Sequence, residues 1–230
     1  MATTLMTLVN DISQLEEVYS FLAGKSPLVM DMEGICLGRS GQVTMLQLAA
    51  DPGNVFCFDV LVLGETIFQW LGPLLQDPGI IKLCYDARCD ADALFHIYGI
   101  TLRGVYDIQV LYTILFQPAN DPYLKGLYHT LQMQGVVEPE CLQQILHCKR
   151  SHKLQMQAGS DFLLHRPLSH YSLQYCALDV VYLFVMYNKW RESGRDGLLM
   201  ALSARRIESY VFLPALLNPR FMSLVDFLTK

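Results

Sequence analysis

From residue 27 to residue 59 apolar and polar positions alternate with a period of two, and beyond residue 60 most of the chain repeats its apolar positions at helical spacing. Pro27-Leu28-Val29-Met30-Asp31-Met32-Glu33, Val43-Thr44-Met45-Leu46-Gln47-Leu48-Ala49 and Val55-Phe56-Cys57-Phe58-Asp59 read as three strands. The linkers between them are short. Gly38-Arg39-Ser40-Gly41 makes the first, and Asp51-Pro52-Gly53-Asn54 makes the second, with proline and glycine at its two central turn positions. Such connections predict an antiparallel meander. Ahead of it, Asn10 or Asp11 caps a helix running to Leu22, with Asp11 and Gln14 at capping-box spacing. After it, a helix over 65–76, a strand over 80–85, a helix over 89–98 closed by Gly99 and a short strand over 104–106 alternate like parallel crossover units.

The predicted fold is therefore α/β, a mixed five-stranded sheet flanked by helices. From Asp107 onward the pattern is mostly helical, with a less regular stretch over 155–167 and a long helix entered at Ser169 and running to about Arg191. No repeat or Gly/Ser linker divides the chain. One domain is expected over 1–194, followed by a C-terminal helical extension over 195–230. The run Phe212-Leu213-Pro214-Ala215-Leu216-Leu217 in that extension is apolar enough to pack on the domain or on another chain.

Composition narrows the functional classes. With 230 residues, 52% of them hydrophobic and 17% charged, the chain can bury a substantial core, which excludes a disordered protein. No apolar stretch reaches the length of a membrane span, and Met1 to Asn10 lacks the pattern of a signal peptide, so an intracellular site, cytoplasmic or nuclear, is expected. Seven cysteines without a CxxC pair read as buried thiols of a reducing compartment. A net charge of −5 argues against indiscriminate polyanion binding. Any nucleic-acid surface must be local.

The acids carry the chemistry. Asp31 and Glu33, two apart on an apolar strand, point to the same sheet face. In the helix after Cys89, Asp90 shares the stripe of Leu94 and Ile97, whereas Asp92 shares that of Phe95 and His96, and periodicity mildly prefers Asp90 as the inward acid. Asp179 is the only charge in its stretch of the last long helix, and Tyr175 precedes it by one turn on the same face. Taken singly, each of these residues has an ordinary structural use. Asp31 and Glu33 fit a solvated edge, Asp90 a helix cap, Asp179 an ion pair with Arg166 and Tyr175 the core. Gathered in one cleft, four carboxylates need compensating cations, and two magnesium or manganese ions balance them with the oxygen ligands such ions prefer. A metal pair of that kind serves phosphodiester hydrolysis.

Asp31-Met32-Glu33, then Arg88-Cys89-Asp90-Ala91-Asp92-Ala93-Leu94 followed by Tyr98-Gly99, then Arg166-Pro167-Leu168-Ser169 leading into Tyr175-Cys176-Ala177-Leu178-Asp179, resemble the motifs of the DEDDy 3′-5′ exonucleases, RNase D among them. Gly34, Gly38-Arg39-Ser40-Gly41, Met45-Leu46-Gln47 and Val105-Tyr106-Asp107-Ile108-Gln109-Val110 look most like the branch containing Egalitarian and the exonuclease 3′-5′ domain-containing proteins. The resemblance implies an RNase H-like fold and removal of nucleoside 5′-monophosphates from the 3′ end of single-stranded nucleic acid, RNA in preference to DNA. It also implies that Asp31, Glu33, Asp90 and Asp179 hold the two metals and that Tyr175 orients the attacking water. Met32, Gly34, Met45, Leu46, Gln47 and Arg88 are expected at the substrate. The same branch implies an alternative, an RNA-binding or scaffolding module with weak or no turnover. The cluster His147-Cys148-Lys149-Arg150-Ser151-His152-Lys153 reads equally as a solvated helix face or as a phosphate contact, and Arg205-Arg206 reads as structural.

Overall fold

The computed structural model describes residues 5–118, 120–121, 123–133, 135–157, 163–191 and 194–212. Six strands form one mixed sheet: β1 (Leu5–Val9), β2 (Leu28–Ile35), β3 (Gln42–Asp51), β4 (Asn54–Asp59), β5 (Lys82–Cys84) and β6 (Val105–Asp107), in the order β1-β4-β3-β2-β5-β6. The meander is present, since β2 pairs antiparallel with β3 and β3 with β4. The crossover strands are also present, β5 running parallel to both β2 and β6. The sixth strand is β1, which sequence periodicity does not reveal. It pairs parallel with β4 at the sheet edge and buries fully only Val9.

Helices cover both faces. The amphipathic helix α1 (Leu15–Leu22) follows a short 3-10 turn, Ile12–Gln14, at whose start Asp11 and Gln14 form the capping box. With α3 (Thr66–Gln76) and α4 (Arg88–Tyr98) it closes one face of the sheet around Leu22, Met30, Leu46, Phe58, Leu71 and Leu94. The last turn of α3 ends over the fully buried Lys82, whose ammonium donates to the carbonyls of Asp77 at 2.6 Å and Leu74 at 3.2 Å. Burial draws that lysine down to about 8, and the carbonyl end of the helix supplies the compensating partial charge.

The other face is closed mainly by α8 (His170–Trp190), with α5 (Ile108–Phe116), α6 (Leu127–Met133) and α7 (Pro139–Gln157) outside it. The short α2 (Val60–Leu63) follows β4 directly. The start of α8 is fixed by Ser169, whose hydroxyl accepts from the amide of Ser172 at 3.1 Å. Cys57, Cys84, Cys148 and Cys176 are buried free thiols. Among the described residues no helix is long and apolar enough to cross a membrane.

The described part of the C-terminal extension, α9 (Asp196–Val211), packs on α4 and β6. Arg206, only 5% exposed, donates to Asp107 Oδ2 at 2.8 Å, to Asp86 Oδ1 at 3.0 Å and to Gln109 Oε1 at 2.5 Å. At the far end of α9 the Arg39 guanidinium takes the carbonyls of Tyr210 and Val211, each at 3.1 Å, while pairing with Asp92 at 2.7 Å. Of the apolar run that begins at Phe212, everything from Leu213 lies outside the described residues.

Candidate active site

Asp31 and Glu33 leave the central strand β2 on the face that α8 covers, and one turn of α8 separates Tyr175 from Asp179. The result is a convergence. Carboxylate oxygens of Asp31, Glu33 and Asp179 all lie within 4.8 Å of one another, so this trio can hold a metal ion. Asp90, in the first turn of α4, is buried beside them and feels the charges of Asp31 and Glu33, although it stands outside the trio itself. Tyr175 is 6% exposed, and its hydroxyl feels Glu33, Asp179 and Asp31.

A family model described as 3′-5′ exonuclease matches residues 6–194. The chain belongs to the 3′-5′ exonuclease family. This exonuclease domain is 35% identical over 152 residues to the piRNA biogenesis protein EXD1 of Xenopus laevis, a match covering 66% of this chain and 34% of the relative. Against the Mus musculus EXD1 it is 31% identical over 160 residues, 69% of this chain and 28% of that one. The chain thus spans about a third of the length of the curated relatives it matches. Its fold is that of RNase D. The Trypanosoma brucei RNase D:GMP complex superposes with a TM-score of 0.79 at 24% identity, covering 93% of this chain and 67% of that one. Escherichia coli RNase D does so with a TM-score of 0.67 at 17% identity, covering 92% of this chain and 52% of that one.

The electrostatics of this acidic centre suit a candidate cation site. Burial pushes the Asp31 carboxyl up to about 8, Asp179 adds to the rise, and Lys149 opposes it. Asp90 is held well above the usual carboxylate range, first by burial and then by Asp31, Asp86 and Glu33. Burial, together with the acids, also raises the Tyr175 hydroxyl, so it stays protonated and able to donate. Opposite Asp31 in the β2–β3 ladder, the Gln47 amide is fully buried, and neither its nitrogen nor its oxygen has a partner among the described residues. The converging oxygens of Asp31, Glu33 and Asp179, with the buried Asp90 and an orphaned amide alongside, suit a hard divalent ion.

The six positions expected at the substrate are not brought together. Met32 and Leu46 belong to the core on the opposite sheet face, 3% and 0% exposed, because alternation along a strand sends them away from Asp31 and Glu33. Met45 and Gln47 share the acidic face, directly across from Glu33 and Asp31. Gly34 sits at a bulge just after Glu33, where a Cβ would stand 2.3 Å from the Gln42 carbonyl oxygen, so only glycine lets the two strands approach. Arg88 pairs with Asp86 at 2.6 Å and lies over the Tyr210 ring. Arg166 reaches Asp59 at 2.7 Å instead of Asp179.

Both Asp90 and Asp92 are buried, contrary to a reading in which one faces solvent. Asp90 meets the acidic centre, whereas Asp92 accepts from the Arg39 backbone at 2.6 Å and from its guanidinium. Sequence reasoning misses Tyr128, whose hydroxyl donates to Asp179 Oδ1 at 2.6 Å, and leaves Lys149 undecided. Lys149 donates to Asp179 Oδ2. Tyr128 lies in a short apolar segment with no pattern to distinguish it. The charge of Lys149, flanked by other basic residues, resembles that of a solvated helix face.

Proposed function

We propose that this exonuclease domain is a metal-dependent 3′-5′ exoribonuclease that shortens single-stranded RNA and releases nucleoside 5′-monophosphates. The observation that carries the reading is the convergence of Asp31, Glu33 and Asp179 in a chain of this family. Asp31, Glu33, Asp90 and Asp179 would hold two divalent cations, Mg2+ or Mn2+. When bound, these supply charge to neutralise the scissile phosphate and lower the energy needed to make water a nucleophile.

The remaining work falls to the chain itself. Water attacks the terminal phosphorus, the bond from phosphorus to the 3′ oxygen of the preceding nucleotide breaks, and that oxygen departs to become a 3′ hydroxyl. Tyr175, protonated and close to the acids, orients the water by a hydrogen bond and does not act as its base. Tyr128 fixes the Asp179 carboxylate by donating to its Oδ1. RNA as the substrate is supported by the RNase D fold, one of whose solved examples is a complex with RNA U12, and by the piRNA biogenesis proteins among the relatives.

Incubating the protein with 5′-labelled single-stranded RNA and Mn2+ tests this reading. A ladder shortening from the 3′ end is expected. RNA that binds and stays full length would instead assign the chain to the scaffolding alternative. Tyr175→Phe keeps the buried ring and removes only the hydroxyl, so kcat should fall about a hundredfold with KM for RNA unchanged. Steady-state kinetics checks it, and a change confined to KM would move Tyr175 from the reacting water to the substrate.

A further inference from the structure

Lys149 enters the acidic centre from α7 and is built into it. Its ammonium donates to Asp179 Oδ2, lies 3.9 Å from the centre of the Tyr175 ring and 5.1 Å from that of Tyr128, and its side chain is only 16% exposed. Beside it the Tyr171 hydroxyl donates to the Cys148 carbonyl at 2.7 Å, which ties the α7 backbone to α8 at the point where the lysine departs. A surface lysine spends its time in water. This one has given up hydration for one carboxylate and two aromatic faces.

The carboxylate it holds is one of the three whose oxygens converge within 4.8 Å. An ammonium and a divalent cation on that carboxylate would be like charges a few ångströms apart in a poorly hydrated site, an arrangement that costs far more than it returns. We propose that Lys149 is an internal cation occupying the Asp179 side of the metal centre, and that a divalent ion binding there must displace it. The inference rests on the metal-dependent reading above. It makes the trio of Asp31, Glu33 and Asp179 a competed site, which an ion fills only as Lys149 leaves Asp179. It also gives the metal-free centre a compensating charge.

Two measurements on the full chain test the proposal. In calorimetric titrations with Mn2+, Lys149→Met should bind the ion about ten- to a hundredfold more tightly than the wild type, the equivalent of one charge-assisted hydrogen bond that no longer has to be broken, and its metal-free form should melt at a lower temperature. Lys149→Arg, which keeps the charge, should retain the weaker affinity. On the wild type itself, an amine-acylating reagent read by mass spectrometry should modify Lys149 slowly without metal and several times faster once Mg2+ is added, with Lys25 and Lys189 unaffected. Unchanged or weaker Mn2+ binding by Lys149→Met, or labelling of Lys149 indifferent to Mg2+, overturns the proposal. A wild type that binds no Mn2+ at all would instead overturn the metal-dependent reading on which it stands.

Discussion

Asp31→Asn should reduce 3′-end hydrolysis by about a thousandfold or more and at the same time make the metal-free protein more stable. The two effects have one origin. In the fold, burial and the neighbouring Asp179 raise the Asp31 carboxyl from its ordinary 3.8 to about 8. Between those two values the folded state binds a proton that the unfolded chain has released, so metal-free stability declines as pH rises through that window and levels off above it. Asparagine carries no charge at any pH and escapes the decline. At pH 8 it should gain about 2 kcal/mol, roughly 4 to 8 °C in melting temperature, and the gain should vanish near pH 4. Thermal melts of both proteins in chelator at several pH values check the sign. A metal-free Asp31→Asn protein that melts below the wild type at pH 8 would show that Asp31 is held by a structural partner instead.

Arg206→Ala should be the most destabilising of the substitutions considered, costing about 3 to 5 kcal/mol, because it leaves buried carboxylates without their cation. Asp107 is 1% exposed, caps α5 by accepting from the Gln109 amide at 2.9 Å, and accepts from the Asp86 amide at 3.0 Å. Burial already raises its pKa, and Arg206 is the main group holding it down. Urea denaturation gives the magnitude. Adding Asp107→Asn should recover part of the loss, since a neutral amide does not need the guanidinium, and a double-mutant cycle isolates the coupling. A loss below about 1 kcal/mol would mean that water replaces Arg206 without difficulty.

Strands β2, β3 and β4 could be read from the chain because local alternation and tight turns specify them, and Asp31, Glu33, Tyr175 and Asp179 because each is a polar residue out of place on an apolar element. What escaped reading depends on partners distant in sequence. The parallel partner of β1 is β4, about fifty residues on, and a half-exposed edge strand shows little alternation. The choice between Asp90 and Asp92 presumed that α4 has one wet face, but α9 and Arg39 cover the face that carries Asp92. Lys149 was hidden in a basic cluster, because sequence alone does not show which charge of a helix turns inward. The same limit applies to the Arg205-Arg206 pair, of which Arg206 is buried.

Arg39 fastens the loop that leaves β2 to the last carbonyls of α9 and, through Asp92, to the helix that carries Asp90. Three of the four acids therefore stand on two elements joined by one guanidinium to the exit of the C-terminal helix. The exit of the C-terminal helix is thereby tied to both elements that carry those acids, so α9 serves as a brace on their spacing.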